Sequence, residues 1–332
     1  MRTSGFRAWC AERGRARFVV TVALMVAFTL AGGALLLVPN VALPRITAAQ
    51  PGTTASPVDL ADPRLEPVRR TMEPFGPLVA ERFDAGAGQE AVVVGHEPAR
   101  ADMTVLGMEL ASSAEAISAV WGADWSRAPL IVIAANPSEF AGLTRSTALH
   151  PEQVAAVTVT DPVPPGVAPV QRIVFGPEAG ARLSDAGLRT LLRHELTHVA
   201  TRAATVDGAA VWLTEGFAEY VAHHVRPVRF ADVAPTVAAR TKQGVLPADL
   251  PPADAFAGAD AAEAYEYAWA LCAYLADRHG PPALLALYHR LAAVPADPAG
   301  EDAAFAEILR VTRADLVADW QRWLTARSDA HS

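Results

Sequence analysis

Lysine is almost missing from this chain: Lys242 is the only one in 332 residues, and arginine carries the positive charge. Cysteine is nearly as scarce, with Cys10 and Cys272 alone. Two thiols form neither a disulfide framework nor a cysteine zinc site. They flank a long apolar segment, so if that segment stays in a membrane they lie on opposite sides and cannot pair. Cys272 then reads as a small buried hydrophobe. A basic stripe with interleaved aromatics is also missing. The formal net charge is −8, but residues 1–38 hold five arginines (2, 7, 13, 15 and 17) against Glu12, so the remainder carries −12. That acidic body offers nucleic acid no electrostatic footing. Internal repeats are lacking too, which excludes a solenoid.

What is present begins with residues 18–38, an uncharged apolar run. At 1.5 Å per residue a helix of this length spans about 31 Å, the thickness of a bilayer core. A secretory apolar region is usually only about 7–15 residues long. The run is expected to be a transmembrane anchor, with residues 1–17 as an Arg-rich cytoplasmic tail and the rest of the chain outside. The alternative is a cleaved signal and a secreted protein, with a weak small-residue site near Thr47–Gln50. Residues 39–77 contain eight prolines and read as a semi-extended tether.

Residues 78–183 mix strand and helix patterns. Ala91–Val94, Leu130–Ala134, Ala155–Thr160 and Arg172–Phe175 fit strands, and residues 103–121 fit a helix. The segment from 184 to 328 is mainly helical, with helices predicted near 185–203, 210–224, 261–279, 282–294 and 302–327. A connector at 225–260 has one helix ending at Gly244. Ser184 is a fitting N-cap, His279-Gly280-Pro281 a stop signal, and Thr312–Asp315 a capping box. The fold class is α+β, a small mixed-sheet lobe followed by a mainly helical lobe, behind an N-terminal transmembrane helix.

The chemistry concentrates in His194-Glu195-Leu196-Thr197-His198. On a helix, positions i and i+4 are about 40° apart around the axis and about 6 Å apart along it. Both imidazoles can therefore face one ion, while Glu195, roughly 100° further round, sits beside it as a base for water. A catalytic zinc needs a third protein ligand and an open fourth position. Glu215, in Trp212-Leu213-Thr214-Glu215-Gly216-Phe217-Ala218-Glu219-Tyr220, follows His198 by seventeen residues.

HELTH followed by WLTEGFAEY resembles the gluzincin metallopeptidases, most of all the bacterial peptidase MA-like group. The resemblance implies a zincin-type helical lobe, one Zn²⁺ held by His194, His198 and Glu215, and hydrolysis of peptide bonds with Glu195 as general base. It also implies that Ala156–Thr160 is the sheet edge that pairs with a substrate backbone. Tyr265 falls on the tyrosine that donates to the oxyanion in the aminopeptidase branch. The G-x-M-E-N stretch of that branch has no counterpart here, which argues against N-terminal exopeptidase activity. Glu219, one turn after Glu215, is expected to orient a ligand histidine, as metal-bound imidazoles usually donate their other N–H to a carboxylate. His223 and His224 read as helix-end surface histidines.

Two other functions fit the same residues. One is a non-catalytic or degenerate zinc-binding module at the cell surface, against which the retained Glu195 speaks. The other is hydrolysis of a non-peptide amide of the cell wall, because reaction type follows from the pocket around a common site. The expected partners are a peptide or protein substrate and the cytoplasmic membrane through residues 18–38. The residues do not determine an oligomeric state.

Overall fold

A computed structural model describes residues 55–146, 154–160, 171–225, 228–257 and 260–329. The expected cytoplasmic tail, the transmembrane segment 18–38, Cys10, the first part of the tether and residues 161–170 lie outside these residues. Among the described residues no helix is long and apolar enough to cross a membrane. The chain forms two compact units. One takes the described residues up to Thr144 together with Ala155–Ala200; the other takes those within Arg145–Val154 and those from Thr201 onward.

The first unit is built on a six-stranded mixed sheet, β1 (Ser56–Pro57), β2 (Leu78–Asp84), β3 (Glu90–His96), β4 (Leu130–Ile133), β5 (Ala156–Thr160) and β6 (Gln171–Phe175), in the order β1-β2-β3-β4-β6-β5. β3, β4 and β6 run parallel at the centre, and β2 and β5 flank them antiparallel. Central parallel strands bury both faces and therefore read as continuous apolar runs. Val92, Val93, Val94, Ile131, Val132, Ile173 and Val174 accordingly have at most 4% exposure. Helix α1 is Glu66–Met72 and the long α2 is Arg100–Trp121. α2 lies so close to the sheet that a Cβ on Gly107 would meet the Phe83 ring at 2.4 Å. α3 (Pro137–Thr144), α4 (Ala179–Arg182) and α5 (Asp185–Thr201) follow.

The tether expectation is corrected over Ser56–Pro77. This stretch holds β1, α1 and two 3₁₀ turns, and buries Leu65, Val68 and Met72. Pro63, Pro67 and Pro74 each stand in the first turn of a helical segment, where a missing N–H costs nothing.

The second unit is helical: α6 (Val211–His224), α7 (Phe230–Val233), α8 (Pro235–Lys242), α9 (Ala261–His279), α10 (Pro281–Leu291), α11 (Pro298–Ala304) and α12 (Arg313–Asp329). α9 is buried along most of its length, with Ala268, Ala270, Leu271, Cys272 and Leu275 at 0% exposure. It stops where expected, at Gly280, whose φ of +87° suits a residue without a side chain. The predicted helix over 302–327 is instead two, separated by Arg310 in the left-handed region at φ 62°. The capping box starts the second: Thr312 Oγ1 accepts from the Asp315 N–H at 3.1 Å, and Asp315 Oδ2 accepts from the Thr312 N–H at 3.4 Å. Leu316 and Trp320 are buried, whereas Trp323 is half-buried and donates to Asp277 at 2.7 Å.

Candidate metal centre

The histidines stand on α5, which belongs to the sheet unit, although the sequence suggested a boundary at 184. Ser184 Oγ accepts from the Gly187 N–H at 3.2 Å, so the helix has its expected side-chain cap. Leu188, Leu192, Leu196 and Val199 are buried at 5% exposure or less. Burying a leucine is worth about 1.5–3 kcal/mol, and this stripe sets the helix rotation.

That rotation brings His194 Nε2 and His198 Nε2 to 3.0 Å, with ring centroids 4.7 Å apart and planes at 78°. Zinc–nitrogen bonds of about 2.0–2.1 Å in a tetrahedron separate two ligands by roughly 3.3 Å. The pair fits one edge of such a site. Among the described residues, His194, His198 and Glu215 make up a group that could hold a metal ion: each offers one ligand atom, and these atoms lie within 4.8 Å of one another. His194 and Glu215 are buried and His198 half-buried. A carboxylate and an imidazole buried this deeply are costly without charged or hydrogen-bonding company, and two nitrogens with one oxygen is a donor set that zinc accepts.

Glu195, at 3% exposure, is held from the sheet: Thr158 Oγ1 donates to its Oε2 at 2.6 Å. Thr158 lies on β5, which pairs only with β6 in the described sheet and so forms its edge, as expected for Ala156–Thr160. The Gly176 N–H donates to Ala155 C=O at 2.8 Å. With the register Val157↔Val174 and Val159↔Arg172, alternation along an antiparallel ladder turns the backbone groups of Ala156, Thr158 and Thr160 toward the open side. Arg193, beside His194, donates to Glu109 on α2 at 2.7 Å.

No protein-family model matches the chain, and no curated protein does. Among solved structures it is similar to a two-domain M1 zinc metallopeptidase mutant bound to L-arginine. The identity is 14%, over 75% of this chain and 52% of that one, with a TM-score of 0.43. Two mutant structures of an M1 zinc metallopeptidase from Deinococcus radiodurans also match. One is 15% identical over 77% of this chain and 53% of that one, with a TM-score of 0.41. The other, bound to a Tyr-Ser-Ala substrate, is 13% identical with the same coverage and a TM-score of 0.40. The chain spans about half the length of these structures.

In the helical unit, α6 presents Glu215 and Glu219 one turn apart, at 4% and 1% exposure. A Cβ on Gly216 would meet Ala268 O of α9 at 2.4 Å, so the glycine after Glu215 is what allows these helices to touch. At the start of α6, Trp212 Nε1 donates to Glu301 Oε1 at 3.0 Å, and Arg313 holds the other carboxylate oxygen at 2.6 Å. Tyr288 packs its ring on Phe217 at 4.7 Å, and burial raises its phenol to about 12.

Glu219 Oε2 lies 3.4 Å from His223 Nε2. His223 is therefore a half-buried partner of Glu219 rather than a surface histidine, while His224 is exposed beside the Tyr220 ring. Tyr265 is 1% exposed with its ring 5.2 Å from Phe256. Cys272 is fully buried, and burial pushes its thiol well above the ordinary range. The Thr158 contact had no signal in the sequence, since a strand threonine lying 37 residues before Glu195 looks like any other.

Proposed function

We propose that the protein is a zinc-dependent hydrolase of peptide bonds, working outside the cytoplasmic membrane and anchored by residues 18–38. The observation that carries this reading is the group of His194, His198 and Glu215, with Glu195 buried beside the first histidine. When bound, zinc supplies Lewis acidity toward a substrate carbonyl and toward water. Glu195 takes the proton from the attacking water and passes it to the leaving amine. Tyr265 donates to the developing oxyanion, and Glu219 orients the ligand side chains. The open edge of β5 suits an extended peptide, which would find the backbone groups of Ala156, Thr158 and Thr160 unpaired by β6.

The test is metal analysis of the full-length chain together with digestion of a mixed peptide library. One zinc per chain and defined cleavage positions are expected. Glu195→Gln should retain the zinc and lose about 10²–10⁴-fold in rate, since only the base is removed. Full activity in that variant, or a wild type that binds no metal, would end the proposal.

A further inference from the structure

We propose that Thr158 is a positioning residue for Glu195, fixing which of the two carboxylate oxygens acts as the base. This inference rests on the reading of Glu195 as the general base. A threonine hydroxyl has one hydrogen to give. Two acceptors stand within reach of Thr158 Oγ1: Glu195 Oε2 at 2.6 Å and the Glu195 backbone carbonyl at 3.2 Å. The shorter bond ends on a carboxylate and is the stronger, so the hydrogen lies toward Oε2. That oxygen is held against the sheet, and Oε1 is left to face the reacting water.

The hydroxyl comes from a rigid source. Thr158 sits mid-strand, opposite Ile173 in the antiparallel ladder, between the fully packed Val157 and Val159. Glu195 sits on a helix whose apolar stripe is buried. The contact thus joins two elements whose backbones are independently fixed, which restricts the carboxylate to one rotamer. Precise placement of this kind matters, because a misplacement of about 1 Å costs an enzyme about 10²-fold. Thr158 also turns its backbone toward the open edge of β5, so the residue that holds the base is one of the three that would meet a strand-paired substrate.

The experiment compares Thr158→Val, which keeps the shape and removes the hydroxyl, with Thr158→Ser, which keeps the hydroxyl. Crystal structures of the metal-free full-length chain in detergent give the first readout. The Glu195 carboxylate should occupy one position in wild type and T158S and be rotated or divided in T158V; an unmoved carboxylate in T158V overturns the proposal. The second readout is kinetic, on zinc-loaded protein and a peptide that the wild type cleaves. T158V should lose about 10–100-fold in kcat, with zinc content unchanged and KM within about 3-fold, while T158S stays within about 3-fold of wild type. Equal losses in both variants, or a loss carried by KM or by zinc content, would assign Thr158 a packing role and overturn the proposal. A wild type that cleaves no peptide removes the peptidase reading, and the crystallographic comparison then decides the contact alone.

Discussion

Two carboxylates one turn apart on a buried helix face are an expensive arrangement for a protein to keep. Glu215 and Glu219 are both nearly inaccessible, and side-by-side burial of like charges is unfavourable unless each has its own partner. In the proposed reading Glu215 belongs to the ion and Glu219 to the imidazoles, with His223 on one of its oxygens at 3.4 Å. Glu219→Ala should accordingly weaken zinc binding by about 10–100-fold while leaving stoichiometry at one. A competition titration against a chelator of known affinity measures this. His223→Ala supplies the control, because it removes an imidazole that pairs with Glu219 without touching the carboxylate. Equal affinity in wild type and Glu219→Ala would reduce Glu219 to a helix-packing group.

At the scale of elements, the glycine that follows Glu215 sets how close two helices come. With Ala268 O where a Cβ on Gly216 would stand, Gly216→Ala must push α6 from α9 or bend one of them. Overpacking of this sort costs about 1–3 kcal/mol, and more where the obstacle is backbone. Urea unfolding should show a lower midpoint for Gly216→Ala at unchanged slope; an unchanged midpoint would mean that the helices are not held at this separation. The motif thus carries a packing message beside its chemical one, and only the chemical one was legible in the sequence. The same division runs through the chain. α5 was readable from its apolar stripe and Ser184, α9 from its length and the His279-Gly280-Pro281 stop, and the central strands from runs of valine and isoleucine. β2 was not, because Glu81 and Arg82 interrupt the apolar pattern of Leu78–Asp84. α3 was hidden behind Asn136-Pro137, which resembles a loop but caps a helix: Asn136 Oδ1 accepts from the Glu139 N–H at 2.9 Å. Prolines misled in the same way over Ser56–Pro77, since a proline ends a helix interior but starts a helix well.

For the whole molecule, a pH dependence of stability is expected from a carboxylate outside the candidate centre. Glu266, on α9, is 5% exposed and accepts from the Val237 N–H of α8 at 2.8 Å. Burial is the largest influence on it and raises its pKa above the ordinary carboxylate value, against the lowering effect of hydrogen bonds from Val237 and Thr236. The folded state therefore holds this proton more tightly than the unfolded chain does. Between the ordinary value and the raised one, the folded state binds more protons, so stability falls as pH rises through that window and stays reduced above it. Glu266→Gln keeps a carbonyl oxygen for the Val237 N–H and cannot ionise. It should match wild type in acid and exceed it in stability above the window. Denaturant midpoints of both proteins, measured from about pH 4.5 to 8 with chelator present, isolate this effect, since the carboxylates common to both cancel in the difference. A difference that stays constant with pH would show that Glu266 keeps its ordinary ionisation in the folded state, and the hydrogen bond from Val237 would then outweigh burial.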